Sequence, residues 1–423
     1  MGKISTKGVL AFIIITFPIW DMIFTINSYY LGMNIPINQL ARVCIALYLM
    51  TKITKKRDWV IMTILVTFLL IGEGFFSLNG SAKIVEDLGY MMKIISDFIF
   101  LFSIENLMDK EIIKKDDIIK WIVYASYFIT ISVILSVFGL GLKSWGEFGV
   151  RTGYKGLFSG QNVITATLII INPLSFYMSY TTKKLKFIIN YTFIFISLIL
   201  VGTKAGMAGA FILLLIEGIY VLTKLKKTYF KIVISMVIVM LITAGVLTSK
   251  NYFINFYNEQ KEIYNEFGYT NKINFLISNR NLQILYLKDY IMKNETSNNI
   301  MLFGLGYGNA NAIINKYKSD FQAIEMDQYG VLYYSGIWVC IFILLYIFSR
   351  LYKSIYCYFK RKRNLFDFCI MISILVGIGH ALFGGHVIYE SLTSLYFMTI
   401  LAIIKIEYKS IKSSPKGLSE QNE

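Results

Sequence analysis

Residues 329–363 read YGVLYYSGIWVCIFILLYIFSRLYKSIYCYFKRKR. Residues 329–349 carry no charged side chain, and about 20 apolar residues are what an α-helix needs to cross a bilayer. Arg350, Lys353 and the run Lys360-Arg361-Lys362-Arg363 follow directly, which marks a cytoplasmic end under the positive-inside rule. A membrane crossing and its orientation are therefore both written in this stretch.

The same pattern recurs along the chain. Of its 423 residues 56% are hydrophobic and 16% charged, with a mean hydropathy of +0.58, which excludes a disordered or ordinary soluble chain. Apolar runs lie at about 8–30, 37–51, 59–76, 88–108, 118–140, 157–180, 185–202, 205–223, 229–248, 329–349, 366–383 and 387–406. The prediction is an all-α polytopic membrane protein of about 12 transmembrane helices. Alternate connections are basic: Lys52 to Arg57, Lys110 to Lys120, Lys183 to Lys186, Lys224 to Lys231 and Arg350 to Arg363, with Lys3 and Lys7 before the first span and Lys405 to Lys416 after the last. These segments hold more than half of the 42 basic residues and put both termini in the cytoplasm. The net charge of +16 is thus an orientation signal and not evidence for nucleic acid.

The expected organisation is residues 1–248 as spans one to nine, 249–328 as a large extracytoplasmic loop, 329–406 as spans ten to twelve, and 407–423 as a cytoplasmic tail. The loop is charge-balanced and rich in Tyr and Phe, so it is expected to fold into short helices on the outer membrane surface. Within it, Asn281 to Lys293 reads as an amphipathic helix with Leu282, Leu285, Tyr286 and Ile291 near one side. The N-terminal run reads as an uncleaved signal anchor. Cys44, Cys340 and Cys369 fall in spans and Cys357 in a cytoplasmic loop, which leaves no disulfide framework. Motifs for phosphate-binding loops, zinc or paired cysteines are missing, and no repeat relates the two halves, which weakens an inverted-repeat transporter reading.

Polar residues near the outer ends of spans are the informative ones, because lipid makes them costly. Arg151 to Asn162 carries Arg151, Lys155, three glycines and Ser159, Gln161 and Asn162 into the membrane together. The glycines can let a phosphate approach the backbone while the cations neutralise it; an interfacial turn with snorkelling cations is the other reading. Gly202-Thr203-Lys204-Ala205-Gly206 places a cation where a helix starts, a position that favours an anion. Ser278-Asn279-Arg280 precedes the amphipathic helix and Phe303-Gly304-Leu305-Gly306 follows it. Glu325 and Asp327 then set two carboxylates at the membrane surface, as a general base for a hydroxyl or as an acidic helix start. The outer turn between the last two spans holds the only histidines, His380 and His386, which suit hydrogen bonding to the bundle or to substrate better than a metal pair. Arg42, Asp97 and Glu217 are either internal ion pairs or substrate contacts.

These motifs, in this order over about residues 150–400, resemble the O-antigen ligase/polymerase superfamily, in particular the Wzy-type polymerases of Gram-positive capsular and related polysaccharides. Ser335-Gly336-Ile337 and Gly379-His380 to Tyr396 complete the resemblance. Two departures stand out. Lys204-Ala205 replaces a common Ser-Arg, so the bidentate grip of an arginine is lost there, and Asp327 stands near where the ligases place a histidine.

The resemblance implies a fold similar to the GT-C class of lipid-dependent glycosyltransferases. The donor would be a glycan on undecaprenyl pyrophosphate and the acceptor a lipid-linked repeat unit, with no cofactor, metal or nucleotide sugar required. It implies Arg280, Arg151, Lys155 and Lys204 at the pyrophosphate, Asp327 as base, and Asn162, Glu325, His380 and His386 as further substrate contacts. A flippase and a chain-length regulator of the same pathway are the implied partners. Two other readings remain: a lipid-linked oligosaccharide flippase or transporter, and a ligase of the same superfamily.

Overall fold

The computed structural model describes residues 5–33, 35–78, 83–144, 153–224, 277–278, 280–293, 297–317 and 323–413, with positions 258 and 261. The expected span at 229–248, the loop at 249–276 apart from positions 258 and 261, and Arg151 and Asn279 of the candidate motifs lie outside the described residues.

In lipid every backbone N–H and C=O must find a partner within its own segment, and a sequence this apolar answers with helices. The first eight are α1 (Thr6–Tyr30), α2 (Ile37–Met50), α3 (Lys56–Leu78), α4 (Ile84–Asp109), α5 (Lys115–Ser136), α6 (Gln161–Thr182), α7 (Leu185–Leu200) and α8 (Lys204–Lys224). Three short helices follow the undescribed stretch, α9 (Arg280–Met292), α10 (Ser297–Phe303) and α11 (Tyr307–Tyr317), and then α12 (Asp327–Lys360), α13 (Leu365–Phe383) and α14 (Ser391–Ser413). One small hairpin interrupts the helices among the described residues: β1 (Leu142–Lys143) pairs antiparallel with β2 (Tyr154–Gly156).

Eight of the described helices, α1, α3, α5, α6, α8, α12, α13 and α14, are long and apolar enough to cross a membrane. α2 and α7 are apolar but shorter. α4 has the length at 26 residues, but Lys93, Asp97 and Glu105 interrupt its apolar run. It tolerates them because it lies inside the bundle, with α14 packed along it and α2 and α3 beside it; Asp97 and Glu105 are buried. α6 and α14 are the most enclosed of the eight and pack on each other and on α13.

The basic connections meet at one end of the bundle, where they are tied by ion pairs. Lys7 reaches Asp117 at 2.7 Å, Lys409 reaches Asp109 at 3.1 Å, Lys115 reaches Glu407 at 3.1 Å, and Arg361 clamps Glu407. The candidate motifs gather at the opposite end.

Three expectations are corrected. The tenth span does not stop near 349: α12 runs on to Lys360, so Cys357 is a buried helix residue and not part of a loop. The helix expected at Asn281 to Lys293 is present as α9, but its buried row is Gln283, Leu287 and Ile291, spaced four apart, while Leu285 is exposed. The chain at 387–390 is not helical, and α14 begins at Ser391.

α12 is broken at Gly336, whose φ of 80° and ψ of 175° lie outside the helical region. A Cβ there would fall 2.2 Å from the Leu302 carbonyl oxygen, so only glycine allows the α10–α11 connection to lie this close. The connection satisfies carbonyls that the break frees: Leu305 N–H donates to Tyr333 O at 2.7 Å and Gly306 N–H to Tyr334 O at 3.2 Å. Phe303 to Gly306 is therefore a backbone brace.

Candidate functional site

Two groups of polar residues form at the end opposite the basic connections. The first is built on the hairpin and the α7–α8 turn. Ser144 Oγ donates to the Val201 carbonyl at 2.8 Å, and Ser144 N–H donates to Gly153 O at 2.8 Å. A Cβ on Gly153 would lie 2.5 Å from Val201 O, so this glycine is a close-approach position. Thr203 Oγ1 accepts from Gly206 N–H at 3.0 Å, capping α8, and shares a 2.8 Å hydrogen bond with Thr165 Oγ1 of α6. Lys204 opens α8 and Asn162 lies in the first turn of α6. Lys155 sits on β2 and donates from Nζ to Ser159 O at 3.0 Å; burial pulls its ammonium below the usual lysine range. The structure thus brings Lys155, Asn162 and Lys204 into one region.

The second group surrounds the turn between α13 and α14. Arg280, at the start of α9, donates from Nε to Glu325 Oε2 and from Nη1 to Phe383 O at 3.1 Å. Its side chain is 12% exposed and that of Glu325 36%, so the pair sits at an accessible edge. Glu325 N–H donates to Gln283 Oε1 at 3.1 Å, and Gln328 Nε2 to Leu382 O at 3.1 Å. These bonds fasten α9 and the start of α12 to the end of α13.

Asp327, the expected base, lies inside this turn. It is fully buried, and its two oxygens accept three backbone N–H groups: His386 to Oδ1 at 2.8 Å, Val387 to Oδ2 at 2.7 Å and Ile388 to Oδ2 at 2.9 Å. A carboxylate anchored in this way fixes the turn. Gly385 approaches so near that a Cβ would sit 1.3 Å from Glu325 O, and its φ is 67°. His380 Nδ1 bonds Gly385 O at 2.8 Å, which leaves Nε2 buried with no partner among the described residues.

His386 takes a left-handed backbone, φ 64°, and places Nδ1 at 3.8 Å from Glu390 Oε1. Burial works against the imidazolium, but Glu390, Glu325 and Asp327 outweigh it and hold the pKa above the usual histidine value. Burial alone would raise the Glu390 carboxyl; Lys93, His386 and Arg42 overcome this and hold it at about 2. Glu390 and Lys93 therefore join the candidate site, although neither was among the expected site residues. The signal was available in Lys93, a cation inside the apolar run of α4. Arg42 proves to be internal: it donates to Asp97 and Ser96, to Lys93 O at 2.9 Å and to Ser394 Oγ at 3.2 Å. Glu217 accepts from the Tyr191 hydroxyl.

A knot of four tyrosines, also unmarked in the sequence, lies beside the turn. Tyr90 packs on Tyr307, Tyr334 and Tyr389 with ring centroids 5.4, 5.0 and 5.8 Å away. The Tyr389 hydroxyl donates to Ile324 O, and Ile324 N–H to the Tyr334 hydroxyl at 2.7 Å, so the knot grips the chain just before Glu325.

The two groups are joined by threonines. Thr393, in the first turn of α14, donates to Val163 O at 3.1 Å and shares a 2.8 Å hydrogen bond with Thr167, both on α6. The start of α6 thus belongs to both halves.

A family described as O-antigen ligase like membrane protein matches residues 3–267, well over half of the chain. The matched stretch contains the whole first group, while Arg280 and the α13–α14 turn lie beyond it. No curated protein matches the chain. With its multi-pass helical fold, the chain belongs to the O-antigen ligase like membrane protein family.

Proposed function

We propose that the protein is a polysaccharide polymerase. It transfers a growing glycan from undecaprenyl pyrophosphate to a lipid-linked repeat unit at the outer face of the cytoplasmic membrane, with both termini inside. The acceptor hydroxyl attacks the anomeric carbon of the donor, the bond from that carbon to the pyrophosphate oxygen breaks, and the hydroxyl proton passes to a base. Undecaprenyl pyrophosphate leaves with the bonding electrons, so cations must stand where its charge develops.

The observation that carries this reading is the Arg280–Glu325 pair at the accessible edge of the turn. A pyrophosphate engaging the Arg280 guanidinium releases Glu325, and the freed carboxylate takes the proton. In this scheme Asp327 is a positioning residue. Lys155 and Lys204 supply further positive charge for the pyrophosphate, Arg151 joins them by its place in the sequence motif, and Asn162, His380 and His386 contact the glycan. A flippase delivers the repeat units and a chain-length regulator sets when extension stops.

The test is Arg280→Ala, which leaves the protein in the membrane and abolishes long glycan; normal chain lengths in that variant sink the assignment. Ligation is the second reading, favoured by the description of the matched family. Purified protein given only lipid-linked repeat units separates the readings. A polymerase lengthens them, a ligase waits for a different acceptor, and a flippase makes no longer product.

A further inference from the structure

At the basic end of the bundle, remote from both groups described above, a cavity of about 300 Å³ opens between α3, α4, α12 and α14. Four cations line it: Arg57, Arg350, Lys353 and Lys405. Two of them are partly neutralised. Glu105 accepts from Arg350 Nη2 at 2.5 Å and from Lys405, and Lys405 also lies 4.0 Å from Asp58. Four positive charges thus face two carboxylates, leaving a local excess of two.

Lysines and arginines that merely fix orientation are solvated on loops. Arg350 is different: its side chain is 3% exposed, and Nη1 has no hydrogen-bond partner among the described residues. A buried guanidinium N–H without an acceptor is costly and points to an anion that supplies one. The cavity is also amphiphilic. Ile61, Phe102, Phe342 and Leu345 are among its wall residues, and Leu345 is 67% exposed on α12. The apolar part of the wall therefore continues onto an exposed flank of a helix apolar enough to cross a membrane.

We propose that this cavity binds one anionic phospholipid, with the phosphodiester among Arg57, Arg350 and Lys353 and the acyl chains leaving along Leu345. Basic pockets between transmembrane helices suit such headgroups, and the volume matches the lower range of small-ligand sites. The bound lipid bridges α3, α4, α12 and α14 at the end opposite the glycan chemistry, and this site does not depend on the polymerase reading.

The test uses the purified full-length protein in a neutral detergent, titrated with phosphatidylglycerol or with phosphatidylcholine of the same acyl chains. Retained lipid is counted by native mass spectrometry. One phosphatidylglycerol is retained per protein in preference to phosphatidylcholine. The Arg57→Ala/Lys353→Ala double variant removes the two cations that pair with no carboxylate among the described residues. At about 1 kcal/mol, or fivefold, per basic residue, it lowers phosphatidylglycerol affinity about 25-fold. A Lys110→Ala/Lys184→Ala control removes the same charge from exposed positions at this end and keeps the affinity. Equal loss in the control, equal retention of phosphatidylcholine, or displacement of the lipid by glycerol 3-phosphate at similar concentration would each overturn the proposal.

Discussion

Asp327→Asn distinguishes a carboxylate that positions a turn from one that takes a proton. In the native turn Oδ2 accepts from Val387 and Ile388 and Oδ1 from His386. An asparagine can present its amide oxygen at the Oδ2 position, but its NH₂ then faces the His386 N–H, donor against donor. Leaving one buried N–H unsatisfied costs about 1–3 kcal/mol. Each 1.36 kcal/mol is a factor of ten, so the turn opens roughly 5- to 150-fold more often. Hydrogen exchange of the peptide covering 384–391 reads this directly, and the expected result is faster exchange at 386–388 with the helices unchanged. Glycan extension falls in parallel, because the turn carries His386 and Glu390 and is bonded to Arg280 through Phe383. Glu325→Gln behaves oppositely, losing extension while the turn stays protected. The reasoning fails if Asp327→Asn abolishes extension with unaltered exchange, for then the carboxylate acts on substrate.

Three further outcomes follow from the same contacts. Arg42→Ala leaves Asp97 buried without its cation and costs about 3–5 kcal/mol of stability, whereas Arg42→Met/Asp97→Leu restores most of it; thermal unfolding in detergent compares them. Gly336→Ala forces a side chain into a φ of 80° and against Leu302 O, costing upward of about 2 kcal/mol, read as a lower unfolding temperature and faster exchange in α10. The turn's pH response runs in two directions. His386 is faced by Glu390, Glu325 and Asp327, so its raised pKa contributes stability that is full below about pH 6.5 and is lost as pH rises through the folded value. Glu390, faced by Lys93, His386 and Arg42 and held at about 2, contributes stability that is full above about pH 4.5 and is lost as pH falls toward 2. Exchange at 384–391, corrected for intrinsic rates, should be slowest between these limits; protection that rises steadily above pH 7 contradicts the assignment.

What could be read in the sequence follows from what lipid demands. Apolar runs such as 366–383 and basic ends such as Arg350 to Arg363 are dictated by the solvent around them, so helix positions and the sorting of charge to one end were legible. The break at Gly336 was not, because a glycine inside an apolar helix looks the same whether or not another backbone lies 2–3 Å from its missing Cβ. The direction of α9 was legible but its buried face was not: Gln283 is inside because Glu325 N–H needs its carbonyl, a contact across 42 residues that hydrophobic periodicity does not carry. The anchoring contacts of Asp327 were hidden for the same reason. A carboxylate beside a helix start has the same sequence appearance as a base or as an anchor, and the three N–H groups arriving from residues 386–388 are contacts that the sequence pattern does not carry.

The buried cations separate by what already neutralises them. Arg42 is enclosed with Asp97, both at or below 3% exposure, and a substrate phosphate has no room to compete there. Arg361 is committed to Glu407 and Asp367 at the basic end. Arg280 has a partner as well, but Glu325 is the one carboxylate among these pairs that is more than a third exposed, and the second acceptor is a neutral carbonyl. An ion pair half in water is worth little on its own, and a pyrophosphate brings more charge and more acceptor oxygens to the same guanidinium. Exchange of partners at Arg280 is therefore favourable where exchange at Arg42 is not. In the proposed polymerase reaction this exchange would also set the Glu325 carboxylate free to take the acceptor hydroxyl's proton, so that binding the leaving group and readying the base become a single event.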